Sequence, residues 1–258
     1  MSHSVKNIVI TGASSGLGAA LAQAYAAPGI VLGLMGRNQQ RLDQVAQTCR
    51  AQGAHVVTGL IDIVDETAIA AWVAEFDAQY PIDLCIANAG ISAGTGGGDE
   101  SLQQVKKMVD VNINGVLNII HPVLDHMRTR KNGQVAMISS IAGWIGLPGA
   151  PAYGMSKAAV RVYGQGLRGL YESHGIQINV VCPGFIKTPM TDVNGFAMPF
   201  IMQADKAAQK IRQGLACNKG LIAFPWQQFM IVRLLSMLPD RFVVWFGKHL
   251  PAKPADIV

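Results

Sequence analysis

Short apolar runs alternate along the chain with longer stretches in which apolar residues return at the spacing of a helix face. The first run, Asn-Ile-Val-Ile-Thr at residues 7–11, predicts a strand, and residues 16–27 predict the helix that follows, ended by Pro28-Gly29. The unit then repeats. Strands are predicted at residues 30–35, 54–59, 84–87, 134–139 and 176–181, and helices at 39–52, 65–79, 102–128 and 152–174. Each connection between neighbouring strands is long enough to hold a crossover helix. The strands are therefore expected in parallel with helices on both faces, a doubly wound three-layer α/β/α sheet.

Composition supports a core buried on both faces of such a sheet: of 258 residues half are hydrophobic and only 14% are charged, with a mean hydropathy of +0.27. No repeat, low-complexity tract or Pro/Ser-rich linker divides residues 1–258, so one domain is expected. The four cysteines, Cys49, Cys85, Cys182 and Cys217, show no CxxC or metal-ligand spacing. They read as buried free thiols in a reducing, cytoplasmic setting, with no metal site. The start of the chain shows no export signal. The net charge of +5 is spread without clusters beyond Lys106-Lys107 and Arg128 to Lys131, which argues for a solvated surface and against nucleic acid. A positive field would also suit an anionic cofactor or acidic lipid.

Candidate chemistry begins between the first strand and its helix, at Thr11-Gly12-Ala13-Ser14-Ser15-Gly16-Leu17-Gly18. Glycines there let the backbone turn tightly and approach a pyrophosphate at the helix N-terminus. The spacing is GxxxGxG, whereas the commoner dinucleotide fingerprint is GxGxxG. In this form the segment resembles the cofactor loop of the short-chain dehydrogenases/reductases. The resemblance implies a Rossmann-like fold that binds NAD(H) or NADP(H), with Gly12, Ser14, Ser15, Gly16, Leu17 and Gly18 against the cofactor. An NAD-binding protein usually carries an acidic residue at the end of the second strand. This chain has Gly36 there and then Arg37, whose guanidinium suits a 2′-phosphate, so NADP(H) is expected ahead of NAD(H). The resemblance also puts Asp62 and Ile63 at the adenine, and Asn88-Ala89-Gly90 where the backbone passes close to the cofactor. Asp65 is better placed than Asp62 to cap the next helix.

Tyr153 and Lys157 stand four residues apart, on one face of a predicted helix. Alone this pair is a weak signal. Ser140, thirteen residues earlier, and Asn112, in Asp110-Val-Asn-Ile-Asn-Gly115, match the remaining members of the family's catalytic tetrad. A phenol with a pKa near 10 is a poor base at neutral pH, and a neighbouring ammonium favours its phenolate. Tyr153 is expected to pass a proton to and from the substrate oxygen, which Ser140 polarises. By resemblance Lys157 also holds the nicotinamide ribose, and Asn112 anchors a water that links the lysine to solvent. Ser139 is the rival of Ser140, but successive strand residues face opposite ways and the spacing favours Ser140.

Pro183-Gly184-Phe185-Ile186-Lys187-Thr188 resembles the family's segment in which Ile186 and Thr188 contact the carboxamide end of nicotinamide. The resemblance is weak beyond Thr188, so residues 189–258 are read as a variable substrate-binding and C-terminal region. Residues 189–203, with Met190, Phe196, Met198, Phe200 and Met202, stand where the family has a substrate-covering lid, and suit a hydrophobic or lipid-like small molecule or a packed oligomer surface. The apolar stretch 224–246 is interrupted by Arg233, Pro239, Asp240 and Arg241 and falls short of a spanning helix. It identifies a contact whose partner is a membrane surface at its inner face, the substrate pocket or another subunit. By analogy a homo-oligomer, dimer or tetramer, would use the helices at 102–128 and 152–174. The expected function is an NADP(H)-dependent carbonyl reductase or alcohol dehydrogenase; the alternative is a cofactor-binding regulatory or scaffold protein with an idle site.

Overall fold

The computed structural model describes residues 5–256. Seven strands form one parallel sheet: β1 (Asn7–Thr11), β2 (Val31–Gly36), β3 (His55–Leu60), β4 (Leu84–Ala87), β5 (Gly133–Ile138), β6 (Ile176–Pro183) and, after a two-stranded side pair, a further strand at Leu221–Phe224. The spatial order is β3-β2-β1-β4-β5-β6 and then Leu221–Phe224. The chain thus winds outward from β1 in one direction and, from β4, in the other, and the crevice beyond the C-terminal ends of β1 and β4 is where such sheets bind ligands.

The alternation of side chains along the strands divides the core in two. Val9, Cys85, Val135, Met137 and Ile178 point to one face, covered by α3 (Glu66–Gln79), α5 (Gly115–Arg130) and α6 (Pro151–Tyr171). Ile8, Ile10, Leu84, Ile86, Ala136 and Val181 point to the other, covered by α1 (Gly16–Tyr25), α2 (Gln39–Ala51) and, further along the chain, the helix at Ala204–Ala216. The doubly wound, three-layer reading therefore holds.

Differences lie at three places. Residues 102–128 are not one helix: α4 (Leu102–Val109) and α5 are joined by a π-helical turn, Asp110–Asn114. A π turn admits an extra residue, and here its buried Asn112 is bonded on every side, which offsets the weaker turn. After β6 the chain forms a short pair, β7 (Ile186–Lys187) and β8 (Met202–Gln203), bracketing α7 (Pro189–Asp192). There follow α8 (Ala204–Ala216), β9 (Leu221–Phe224), α9 (Trp226–Leu235) and α10 (Asp240–Lys248). Neither α8 nor β9 is predicted: both lie past Thr188, in the region read only as variable, and β9 runs directly into the apolar tail. Finally, Cys49, Cys85 and Cys182 are buried thiols as expected, but Cys217 is exposed because it caps the surface end of α8. No described helix is long and apolar enough to cross a membrane.

Candidate active site

The glycine loop joins β1 to α1 at the winding reversal. Gly12 takes a left-handed backbone conformation (φ +66°), and a Cβ there would lie 2.8 Å from the Ala89 Cα. At Gly18 a Cβ would lie 2.6 Å from Asn88 Nδ2 and closer still to the Gly12 carbonyl oxygen. The loop is clamped from β4: Asn88 Nδ2 donates to the carbonyls of Thr11 (2.9 Å) and Gly12 (3.3 Å), and the Asn88 and Ala89 amides both donate to Thr11 Oγ1 (3.0 Å). Asn88 thus uses its side chain to shape the loop, a role beyond the close backbone approach expected of its segment.

Arg37 follows β2, half-exposed, with Nη1 3.6 Å from Asp62 Oδ2. Asp62 also accepts from the Val64 amide (3.3 Å), while Asp65 caps α3 by accepting from the Ala68 amide (3.0 Å), as the sequence predicts.

Tyr153 and Lys157 sit one turn apart on α6, which begins with Pro151 and whose first turn is capped from a distance: the Ala152 amide donates to Glu100 Oε2 (2.9 Å). Lys157 is buried, its Nζ donating to the Ile138 carbonyl (3.1 Å) and lying 5.9 Å from the centroid of the Tyr153 ring. Burial lowers Lys157 to about 8. Burial raises the Tyr153 phenol, and a hydrogen bond with the Ser140 side chain opposes that rise. Of the two serines, Ser140 is the one that meets Tyr153, whereas Ser139 Oγ donates to the Lys157 carbonyl (2.6 Å) and serves α6.

Asn112 is fully buried behind this group. Its Oδ1 accepts from the Ile91 amide (2.8 Å), and its Nδ2 donates to the Ile91 carbonyl (2.9 Å) and Ser156 Oγ (3.0 Å). It converges with Lys157 at Gly90, where a Cβ would lie 3.1 Å from Asn112 Oδ1 and 3.3 Å from Lys157 Nζ.

These elements surround a cavity of about 770 Å³. Every residue predicted for the site lines it except Asp62, which stands beside Arg37 at its rim, and Asn112, which lies behind the wall. Pro183, Gly184, Ile186 and Thr188 also line it, with Thr188 against the glycine loop, where a Cβ at Gly16 would lie 3.2 Å from the Thr188 Cβ; of the predicted lid, Met190, Phe196 and Phe200 line the cavity and Met198 and Met202 do not. Gly184 makes room for Gln228, which its Cβ would overlap.

Sequence reasoning missed Arg41, Ile145, Leu147 and Lys253, which also line the cavity. Arg41 carried a signal, standing four residues after Arg37 at the start of α2; Lys253 carried none. The tail contributes in part. Ile231, Val232 and Leu235 of α9 and Phe246 of α10 line the cavity, while Trp226, Leu234 and Trp245 do not line it and are exposed.

Residues 6–195 match the family model described as short chain dehydrogenase. An oxidoreductase of Myxococcus xanthus is 32% identical over 238 residues, covering 92% of this chain and 94% of that protein. Among solved structures, a short-chain dehydrogenase from Sphingobium yanoikuyae in complex with NADPH superposes with a TM-score of 0.78 at 23% identity, over 97% of this chain and 99% of that one. A short chain dehydrogenase from Mycobacterium paratuberculosis bound to NAD gives 0.76 at 22%, over 86% and 96%. The parallel sheet with its glycine loop at the winding reversal, the family match along most of the chain and a relative similar over nearly its whole length lead to one conclusion: this chain belongs to the short-chain dehydrogenase family of oxidoreductases.

Proposed function

We propose that the protein transfers hydride between NADP(H) and the carbonyl or secondary alcohol of a hydrophobic small molecule. The observation that carries this reading is the convergence of Tyr153, Ser140 and Lys157 on one wall of a cavity whose other end holds the glycine loop and two guanidinium side chains. The residues present fit the dinucleotide. The loop is a cradle that side chains at Gly12 or Gly18 would fill, Arg37 and Arg41 suit a phosphate, and Ile186 and Thr188 suit the carboxamide end. Bound there, NADP(H) would supply the hydride. Tyr153 would give its proton to the substrate oxygen in reduction and recover it in oxidation, while Ser140 holds that oxygen. Lys157 would favour the phenolate through its charge, and its approach to Asn112 Oδ1 at Gly90 supports a proton route behind the tyrosine. The apolar lid and the inner face of α9 support a hydrophobic substrate body. Exposed Met155, Val162 and Leu170 on α6 support self-association through that helix.

The direct test is NADPH oxidation against a broad panel of carbonyl compounds that includes apolar ketones and amphipathic oxo acids. Turnover of at least one is expected, and silence across the panel would return the scaffold alternative. Two further outcomes are expected. Arg37→Ala should weaken NADPH binding by about tenfold and leave NADH binding unchanged, a modest effect because the guanidinium is half-exposed and screened; equal losses for both cofactors would refute the 2′-phosphate role. Reduction needs the Lys157 ammonium, which in the free protein loses its proton near 8. The kcat/KM for ketone reduction should therefore fall as pH rises through about 8, and a profile flat well above that value would contradict the role.

A further inference from the structure

The segment after α10 returns to the active site and delivers a second ammonium. It is seated on glycines. The Gly94 amide donates to the Pro254 carbonyl (2.7 Å) and the Gly96 amide to the Lys253 carbonyl (2.8 Å). A Cβ at Gly94 would stand 2.5 Å from the Lys253 Cβ, and one at Gly149 would stand 2.9 Å from the Ala252 Cα, so side chains at either position would lift the segment away. Held in this way, Lys253 Nζ donates to the hydroxyl of Ser92, which is fully buried, and lies 5.3 Å from the centroid of the Tyr153 ring.

The charges around the cavity do not balance. Among the described residues Arg37, Arg41, Lys157 and Lys253 line it, and no aspartate or glutamate does. Arg37 and Arg41 stand at the glycine-loop end, where a dinucleotide phosphate would meet them, and Lys157 serves Tyr153. Lys253 is left at the Tyr153 end of a cavity that Phe246 and Leu250 also line, with a neutral hydroxyl as its hydrogen-bond partner and no salt bridge among the described residues. Burial lowers it to about 8, a sign that the ammonium is held there at a cost. A ligand oxygen bearing negative charge would remove that cost and form a charge-assisted hydrogen bond.

We infer that Lys253 binds an anionic oxygen group of the substrate, which makes the substrate an amphipathic oxo or hydroxy acid. Its acidic group would lie a few bonds from the reacting carbon, because Lys253 shares the Tyr153 ring, and its apolar body would fill the space under the lid and α9. The inference rests on reading this cavity as the substrate site of an oxidoreductase, so its test reads binding without turnover.

With the NADPH-loaded protein, isothermal titration should give decanoate a dissociation constant at least about tenfold below that of decan-1-ol. The ratio should collapse towards one in Lys253→Met and largely return in Lys253→Arg. Equal binding of the two probes by the wild type would overturn the inference, as would a preference that persists in Lys253→Met. If Lys253→Met loses the seated segment and fails to fold, the wild-type ratio decides the matter alone. Tyr153→Phe should keep the decanoate preference. A protein that is silent on the whole carbonyl panel, oxo acids included, but still prefers decanoate would therefore refute the oxidoreductase reading and leave the anion site standing.

Discussion

Tyr153→Phe is expected to lower kcat for NADPH-dependent reduction by about 10³-fold while changing the NADPH dissociation constant by less than about twofold. The substitution removes one oxygen from a ring held by α6 and leaves Lys157 and its bond to the Ile138 carbonyl in place. What disappears is the hydroxyl that Ser140 meets in the cavity wall, and with it the proton that Tyr153 is proposed to give the substrate oxygen. Steady-state rates with the best ketone of the panel, beside a fluorescence titration of NADPH, separate the two effects. Wild-type turnover in the variant would remove Tyr153 from the mechanism. Equal loss of rate and of cofactor binding would make it a packing residue.

The second large effect is expected at Gly18, where nothing chemical happens. In Gly18→Ala the new methyl would overlap the Gly12 carbonyl and press on Asn88 Nδ2 at 2.6 Å. Backbone and clamp cannot both stay: the loop must open or Asn88 must release the Thr11 and Gly12 carbonyls. Overpacking of this kind costs about 1–3 kcal/mol. Because the strained atoms are those that would cradle a pyrophosphate, NADPH affinity should fall by about 100-fold or more together with a lower unfolding midpoint. Fluorescence titration and thermal unfolding check the two parts. Unchanged affinity would show that the loop serves only the packing of α1 on β4.

Much of this was legible along the chain because it depends on neighbours in sequence. The strand periods, the glycine loop between β1 and α1, the Asp65 cap and the one-turn spacing of Tyr153 and Lys157 are local facts, set by backbone sterics and helical repeat. The choice between Ser139 and Ser140 was also accessible, since the alternation of a strand sends adjacent side chains to opposite faces and only Ser140 meets Tyr153. The weakness of short signals explains the misses in the fold. The four residues of β9 gain their identity by pairing with β6, and the π turn at Asp110–Asn114 owes its stability to bonds that Asn112 makes with Ile91 and Ser156, far away in sequence.

By itself, then, the sequence determined the winding of the sheet, the place of the glycine loop and the one-turn pairing of Tyr153 with Lys157, because each is written in spacings of a few residues. Tertiary structure alone decided what surrounds that group. It brought Lys253 across 100 residues to the ring of Tyr153, set some apolar residues of the tail against the cavity and left others exposed, and put Asn112 behind the wall while giving Asn88 the loop to hold. The reason is physical: the charge that a buried ammonium lacks, and the side of a helix that meets a cavity, are properties of packed neighbours, and no interval along the chain encodes them.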